Sequence, residues 1–203
     1  MSLLVPLYEH PADRPDAWRT VIAAAPRLYG VVLNPASGPG DSADPAFAAV
    51  AAELRAAGVR VLGYTDTAYG RRPHADVVRD LLRHRDWYGA DGAFLDQAVS
   101  GPEGLAHYRR LAVAARAAGA RTLVLNPGVH PDAAYGELAD LLVTFEGTWH
   151  TYRSLDLPLS PHHCHLIHSA PAHATSAAPV HCIVPGTGAH PWGTLPYALD
   201  PGA

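Results

Sequence analysis

Two acidic residues close apolar runs in this chain: Asp96 ends Phe94-Leu95-Asp96, and Glu146 ends Val143-Thr144-Phe145-Glu146. A carboxylate at the end of a buried run is costly unless it is paired or faces a solvent-filled mouth, so both positions point to acid/base or nucleophilic chemistry. Asp96 could instead cap a helix, but the helical pattern that follows begins several residues later, near Gly101. Other polar residues end apolar runs in the same way: Tyr8, Asn34, Tyr64-Thr65-Asp66, Gln97 beside Asp96, Asn126 and His168. Asn34-Pro35 and Asn126-Pro127-Gly128 are turn formers, and for both turn chemistry and ligand contact stand open. Tyr8, Tyr64, Trp149 and Trp192 suit core packing or rim platforms on which the apolar face of a ring-shaped ligand stacks.

Eight apolar runs must position these groups: Leu3–Tyr8, Tyr29–Asn34, Val59–Thr65, Ala90–Asp96, Thr122–Asn126, Leu141–Glu146, His165–His168 and His181–Val184. Several are continuous in Val, Leu and Ile, as parallel strands covered on both faces are. Between them, Pro45–Ala57, Pro73–Arg85 and Glu103–Ala118 carry helical spacing, with Pro45 and Pro73 suited to first turns and Gly58 and Gly119 to helix ends. Prolines interrupt the segments after Glu146, which predicts shortened connections there. The pattern predicts a single domain over residues 1–203, a short TIM-type (β/α)8 barrel with reduced crossovers after strand six. The rival is an open doubly wound sheet, and no glycine-rich phosphate loop follows the first strand to favour it. In a parallel barrel, strand ends converge on one rim, which makes the polar residues above one candidate site.

Composition narrows the partners. Fifteen Lys and Arg against 19 Asp and Glu give a formal charge of −4 with no basic stripe, which argues against nucleic acid. Pro6 and Glu9 interrupt the apolar start too early for a signal-peptide core or a membrane span, so the expected location is cytoplasmic unless export uses another route or a leader that this sequence omits. Cys164 and Cys182 read as buried thiols and not as a disulfide framework. His162, His163, Cys164, His165, His168, His173, His181 and Cys182 make a dense tract, but the spacing fits no zinc-finger pattern and neighbouring strand residues face opposite ways. Neither a metal nor a cofactor is expected.

The strand-end motifs resemble a known family. Leu7-Tyr8 with His10-Pro11, Asn34-Pro35-Ala36-Ser37-Gly38-Pro39-Gly40, Gly63-Tyr64-Thr65-Asp66-Thr67, Asp91-Gly92-Ala93-Phe94-Leu95-Asp96, Asn126-Pro127-Gly128, Phe145-Glu146 and Pro191-Trp192 are similar in order and spacing to the spherulin-4-like glycoside hydrolases. The resemblance implies a β/α barrel, a carbohydrate polymer as partner, and endo-acting cleavage of α-1,4-linked N-acetylgalactosamine or galactosamine. It also implies an acidic pair after strand four and a glutamate after strand six, which fall on Asp96, Gln97 and Glu146. Gln97 departs from that pattern, since an amide cannot ionise or transfer a proton. Asp96 as nucleophile or charge stabiliser and Glu146 as general acid would still supply the two carboxyls that glycoside hydrolysis needs, with Asp66 a possible substitute for the missing acid. The alternative is a barrel that binds sugar without cutting it. The expected substrate contacts are Tyr8, Asn34, Tyr64, Asp66, Gln97, Asn126, His168 and Trp192.

Overall fold

The computed structural model describes residues 1–199. Eight parallel strands close into a barrel in sequence order: β1 (Ser2–Pro6), β2 (Leu28–Leu33), β3 (Val61–Asp66), β4 (Gly92–Asp96), β5 (Thr122–Leu125), β6 (Leu141–Thr148), β7 (His163–His168) and β8 (Val180–Ile183). Closure is made by β8 pairing with β1, Ser2 opposite Val180 and Leu3 opposite His181. Every strand overlaps one of the eight apolar runs, and the open-sheet rival is excluded.

Four helices cover the outside of the first five strands: α1 (Pro15–Ala23) lies before β2, α2 (Pro45–Ala56) before β3, α3 (His74–Tyr88) before β4 and α4 (Leu105–Ala117) before β5. Pro45 starts α2, and the Asp44 carboxylate caps it by accepting from the N–H groups of Ala46 and Phe47. Helix α1 was not expected. It is only nine residues long and has no capping side chain, but Trp18 and Val21 on one face bury it against the barrel. Among the described residues the one α-helix after β6 is the four-residue α5 (Trp149–Tyr152), and no helix joins β7 to β8, so the crossovers are reduced where prolines interrupt the sequence.

Alternation along each strand separates two layers. Leu4, Val32, Leu62, Phe94, Val124, Val143, Cys164, Leu166 and Cys182 fill the interior, while Leu3, Val5, Val31, Leu33, Ala93, Leu95 and Leu123 meet the helices. Both cysteines are free and buried in that interior, and burial holds both thiols well above their ordinary pKa. One break in the alternation matters for chemistry. Counting from Leu141 and Val143 inward would place Phe145 inside and Glu146 outside. Strand β6 instead carries a bulge between Val143 and Phe145, so that Phe145 turns out to meet Ile167 and Ile183 and Glu146 turns in.

Candidate active site

The strands are parallel, so their C-terminal ends share one rim, and two acids from alternate strands meet there. Asn126, directly after β5, donates from Nδ2 to Asp96 Oδ1 at 2.6 Å and to Glu146 Oε2 at 2.5 Å. Both oxygens sit on one nitrogen, so they are at most about 5 Å apart. The amide is held in this orientation because its Oδ1 accepts the Gly128 N–H at 3.0 Å, which leaves the NH2 group to face the acids. Turn chemistry and site chemistry, alternatives in the sequence, are here two ends of one side chain.

The remaining partners differ between the acids. Asp96 also accepts from the Tyr64 hydroxyl at 2.7 Å and from the Gln97 backbone N–H. Glu146 accepts from the Trp192 indole N–H at 3.2 Å. Burial raises both carboxyls above their ordinary pKa; the neighbouring Asp66 charge adds to the rise at Asp96, and the Asp96 charge adds to it at Glu146. Hydrogen bonds to the charged form work against this, and Asp96 has more of them. Burial and the charges of Asp96 and Glu146 push the Tyr8 phenol well up, so Tyr8 stays neutral.

Tyr64 is held from behind. Its backbone carbonyl accepts from His84 Nε2 at 2.7 Å, and the imidazole lies against Gly63, where a side chain would collide with the ring. Burial lowers His84 to about 4, so the ring is neutral with Nε2 protonated.

A cavity of about 410 Å³ opens over the acids, lined by Tyr8, Asn34, Tyr64, Asn126, His168 and Trp192 among others. His168 packs edge-on against Trp192 with centroids 5.9 Å apart, and Asn34 both faces this cavity and accepts the Gly38 N–H at 2.8 Å. A second cavity of about 350 Å³ shares Asp96, Asn126 and Glu146 and extends the other way over Gln97, Pro127, Gly128, Val129 and Tyr69. Of the expected substrate contacts, Asp66 lines neither cavity: its carboxylate accepts the Ala68 N–H at 2.6 Å within the turn after β3. Trp149, which suited core packing or a rim platform, packs against the outer patch of Phe145 and Ile167 and lines neither cavity.

Sequence reasoning gave no site role to Ser37 and His190, which line the first cavity, or to Tyr69 and Val129, which line the second. Backbone strain would have marked some of them. Among the described residues, the positive-φ positions that are not glycine are Ser37, Ala68, Tyr69, Gln97 and Ser169, all in loops that follow strands on this rim.

Fold and site together define a TIM-type β/α barrel with a paired-carboxylate cleft at its C-terminal mouth. The model of the spherulation-specific family 4 matches residues 2–193, and the chain belongs to that family. Spherulin-4 of Physarum polycephalum is 34% identical over 151 residues, which is 72% of this chain and 45% of that protein, so the match spans less than half of the relative's length. The crystal structure of Aspergillus clavatus Sph3 in complex with GalNAc superposes with a TM-score of 0.83 at 26% identity, covering 98% of this chain and 96% of that one.

Proposed function

We propose that the protein is a glycoside hydrolase that cuts a polysaccharide containing galactosamine or N-acetylgalactosamine, with retention of anomeric configuration. The observation that carries this reading is the pair of acids bridged by Asn126. Their nearest oxygens lie at most about 5 Å apart, close to the roughly 5–5.5 Å between carboxyls of retaining enzymes and short of the roughly 6.5–9.5 Å that admits a water for inversion. The GalNAc bound to the related Sph3 supports the sugar class.

The hydrogen-bond inventory divides the roles. Asp96, with donors from Tyr64, Asn126 and Gln97, is the better stabilised anion and attacks the anomeric carbon. Glu146, with fewer donors and a raised pKa, carries the proton that passes to the glycosidic oxygen as the carbon–oxygen bond breaks. In the second half, the Glu146 carboxylate takes a proton from water, and the hydroxyl displaces Asp96. Asn126 donates to both acids throughout and keeps them at reacting distance. Gln97 enters neither step through its side chain, so its lack of a titratable proton does not stop the reaction.

Incubating the protein with galactosamine-containing polysaccharide and analysing soluble products by mass spectrometry tests the reading. The parent is expected to release oligosaccharides and Glu146→Gln to release none. A second reading rests on Gln97: if the parent releases nothing and Gln97→Glu does, the barrel binds sugar without cutting it.

A further inference from the structure

The turn that follows β4 is strained, and buried groups hold it. Gln97 has φ 50°, and on the neighbouring turn after β3 Ala68 and Tyr69 have φ 47° and 54°. In these left-handed conformations a Cβ crowds the backbone, and outside glycine they persist where surrounding contacts over-determine them. The two turns extend the pairing of Asp66 with Asp96: the Thr67 N–H donates to the Asp96 carbonyl at 3.0 Å, and the Tyr69 N–H to the Gln97 carbonyl at 2.8 Å. One residue on, the Ala98 N–H donates to the Asn126 carbonyl at 2.9 Å, which ties the turn to the residue that bridges the acids.

Two buried hydroxyls lie behind these turns. Thr67 and Tyr108, both 0% exposed, place their oxygens 2.7 Å apart, and neither lines a cavity of the cleft. The Thr67 hydroxyl reaches the carbonyls of both Asp96 and Gln97, at 2.9 Å each, and the Tyr108 oxygen accepts the Val99 N–H at 3.1 Å. Donors therefore run one way, from Val99 through Tyr108 and Thr67 onto the two peptide groups whose relative rotation sets the Gln97 conformation. In a trans peptide the C=O and N–H point in opposite directions. Holding the Asp96 carbonyl on Thr67 turns the Gln97 N–H the other way, where it donates to the Asp96 carboxylate.

We infer that Thr67 and Tyr108 are positioning residues for the nucleophile: they fix the peptide between Asp96 and Gln97 so that its N–H stays on the Asp96 carboxylate and stabilises the attacking anion. The inference rests on the two-carboxylate reading above. Burial raises Asp96, and the Gln97 N–H is one of the contacts that oppose the rise. Its loss makes the anion harder to form and moves the acid limb of activity to higher pH. The titratable groups that act on Asp96 are Tyr8 after β1, Tyr64 and Asp66 on β3, Tyr108 on α4 and Glu146 on β6, and a change at Thr67 alters the charge of none of them.

The test compares Thr67→Val, which deletes the hydroxyl at constant shape, with Thr67→Ser, which keeps it. The readouts are the pH profile of kcat/KM on a galactosamine-containing oligosaccharide and the titration of the Asp96 carboxyl by carbon-13 NMR in the substrate-free protein. Thr67→Val is expected to lower kcat by about tenfold with KM within about twofold, and to lower the ratio of kcat/KM at about pH 5 to that at about pH 7 by three- to tenfold. Its Asp96 titration should move to higher pH, while Thr67→Ser follows the parent. Adding Gln97→Gly to Thr67→Val should bring the limb part of the way back, because glycine takes a left-handed φ without the Cβ crowding. Tyr108→Phe, which removes the donor behind Thr67, should move the limb the same way by a smaller factor and serves where Thr67→Val does not fold. A variant that melts lower but keeps the parent's limb and Asp96 titration would overturn the inference, since the hydroxyls would then serve the fold alone. The carboxyl titration needs no turnover: a parent that releases no products defeats the hydrolase reading, while the Asp96 titration still decides whether Thr67 and Tyr108 hold the peptide.

Discussion

The first five strands and the last three cover their outer faces in different ways. Outside β1–β5, helices α1–α4 bring large apolar side chains, among them Trp18, Leu54, Leu111 and Tyr108, all fully or nearly buried. Outside β6–β8 the apolar patch is small, formed by Phe145, Ile167, Ala170 and Ile183, and the cover is partly polar. There the Tyr152 hydroxyl bonds His165 Nδ1 and Ser176 Oγ, each at 3.0 Å, and its ring packs on Phe145 with centroids 5.0 Å apart. Closing a barrel therefore requires a filled interior all round, while the outer layer is negotiable: hydrogen-bonded side chains replace a helix where prolines prevent one. The site straddles the divide. Asp96 and Asn126 come from the helix-backed half, and Glu146, His168 and Trp192 from the other.

Removing an acid from either half should have the largest effect. Asp96→Asn is expected to lower kcat by about a thousandfold or more in an assay of released reducing ends. The same change should raise the melting temperature by a few degrees at neutral pH, because a partly buried carboxylate with a raised pKa costs stability when ionised and an asparagine can keep the Tyr64 and Asn126 contacts. A fall in both quantities would mean that Asp96 serves the fold.

Next comes the contrast of covers, read by urea denaturation. Leu111→Ala on α4, fully buried, should cost about 2–5 kcal/mol. Tyr152→Phe, which leaves His165 Nδ1 without a partner while Ser176 Oγ keeps the Ala178 N–H, should cost only about 1–2 kcal/mol. The reverse order would break the comparison.

The smallest expected effect is acid sensitivity shared by the halves. His84 behind β3 and His165 on β7 are both lowered to about 4 by burial. Since an unfolded histidine titrates near 6.5, each contributes stability that is present above about pH 6.5 and lost as pH falls towards about 4. Asp96 and Glu146, raised in the folded state, take up protons early and offset part of that loss. The urea midpoint should therefore fall between pH 6.5 and 4, and less steeply in His84→Gln, which removes one titrating group and offers an amide N–H to the Tyr64 carbonyl. An unchanged slope would show that His84 is not the titrating group.

Much of this was legible in the residues. Parallel strands buried on both faces write themselves as continuous apolar runs, so all eight were readable, and Asp96 stood out because no helix followed closely enough for it to cap. Helix α1 was hidden by its shortness and its uncapped start. The inward turn of Glu146 depends on a bulge, and alternation counted along β6 gives the opposite face. Asn126-Pro127-Gly128 announced a turn, but that the other end of the amide joins two acids needs three strands in place at once. Asp66 shows the converse, a strand-end acid taken up by its own turn.

The central claim, that Asp96 and Glu146 act as a close pair through a covalent intermediate, is tested most directly by proton NMR of the reducing ends formed in the first moments of cleavage of an α-linked N-acetylgalactosamine oligosaccharide. The account predicts the α-anomer first, relaxing to the equilibrium mixture. First appearance of the β-anomer, or release of products that continues unchanged in Glu146→Gln, would contradict it.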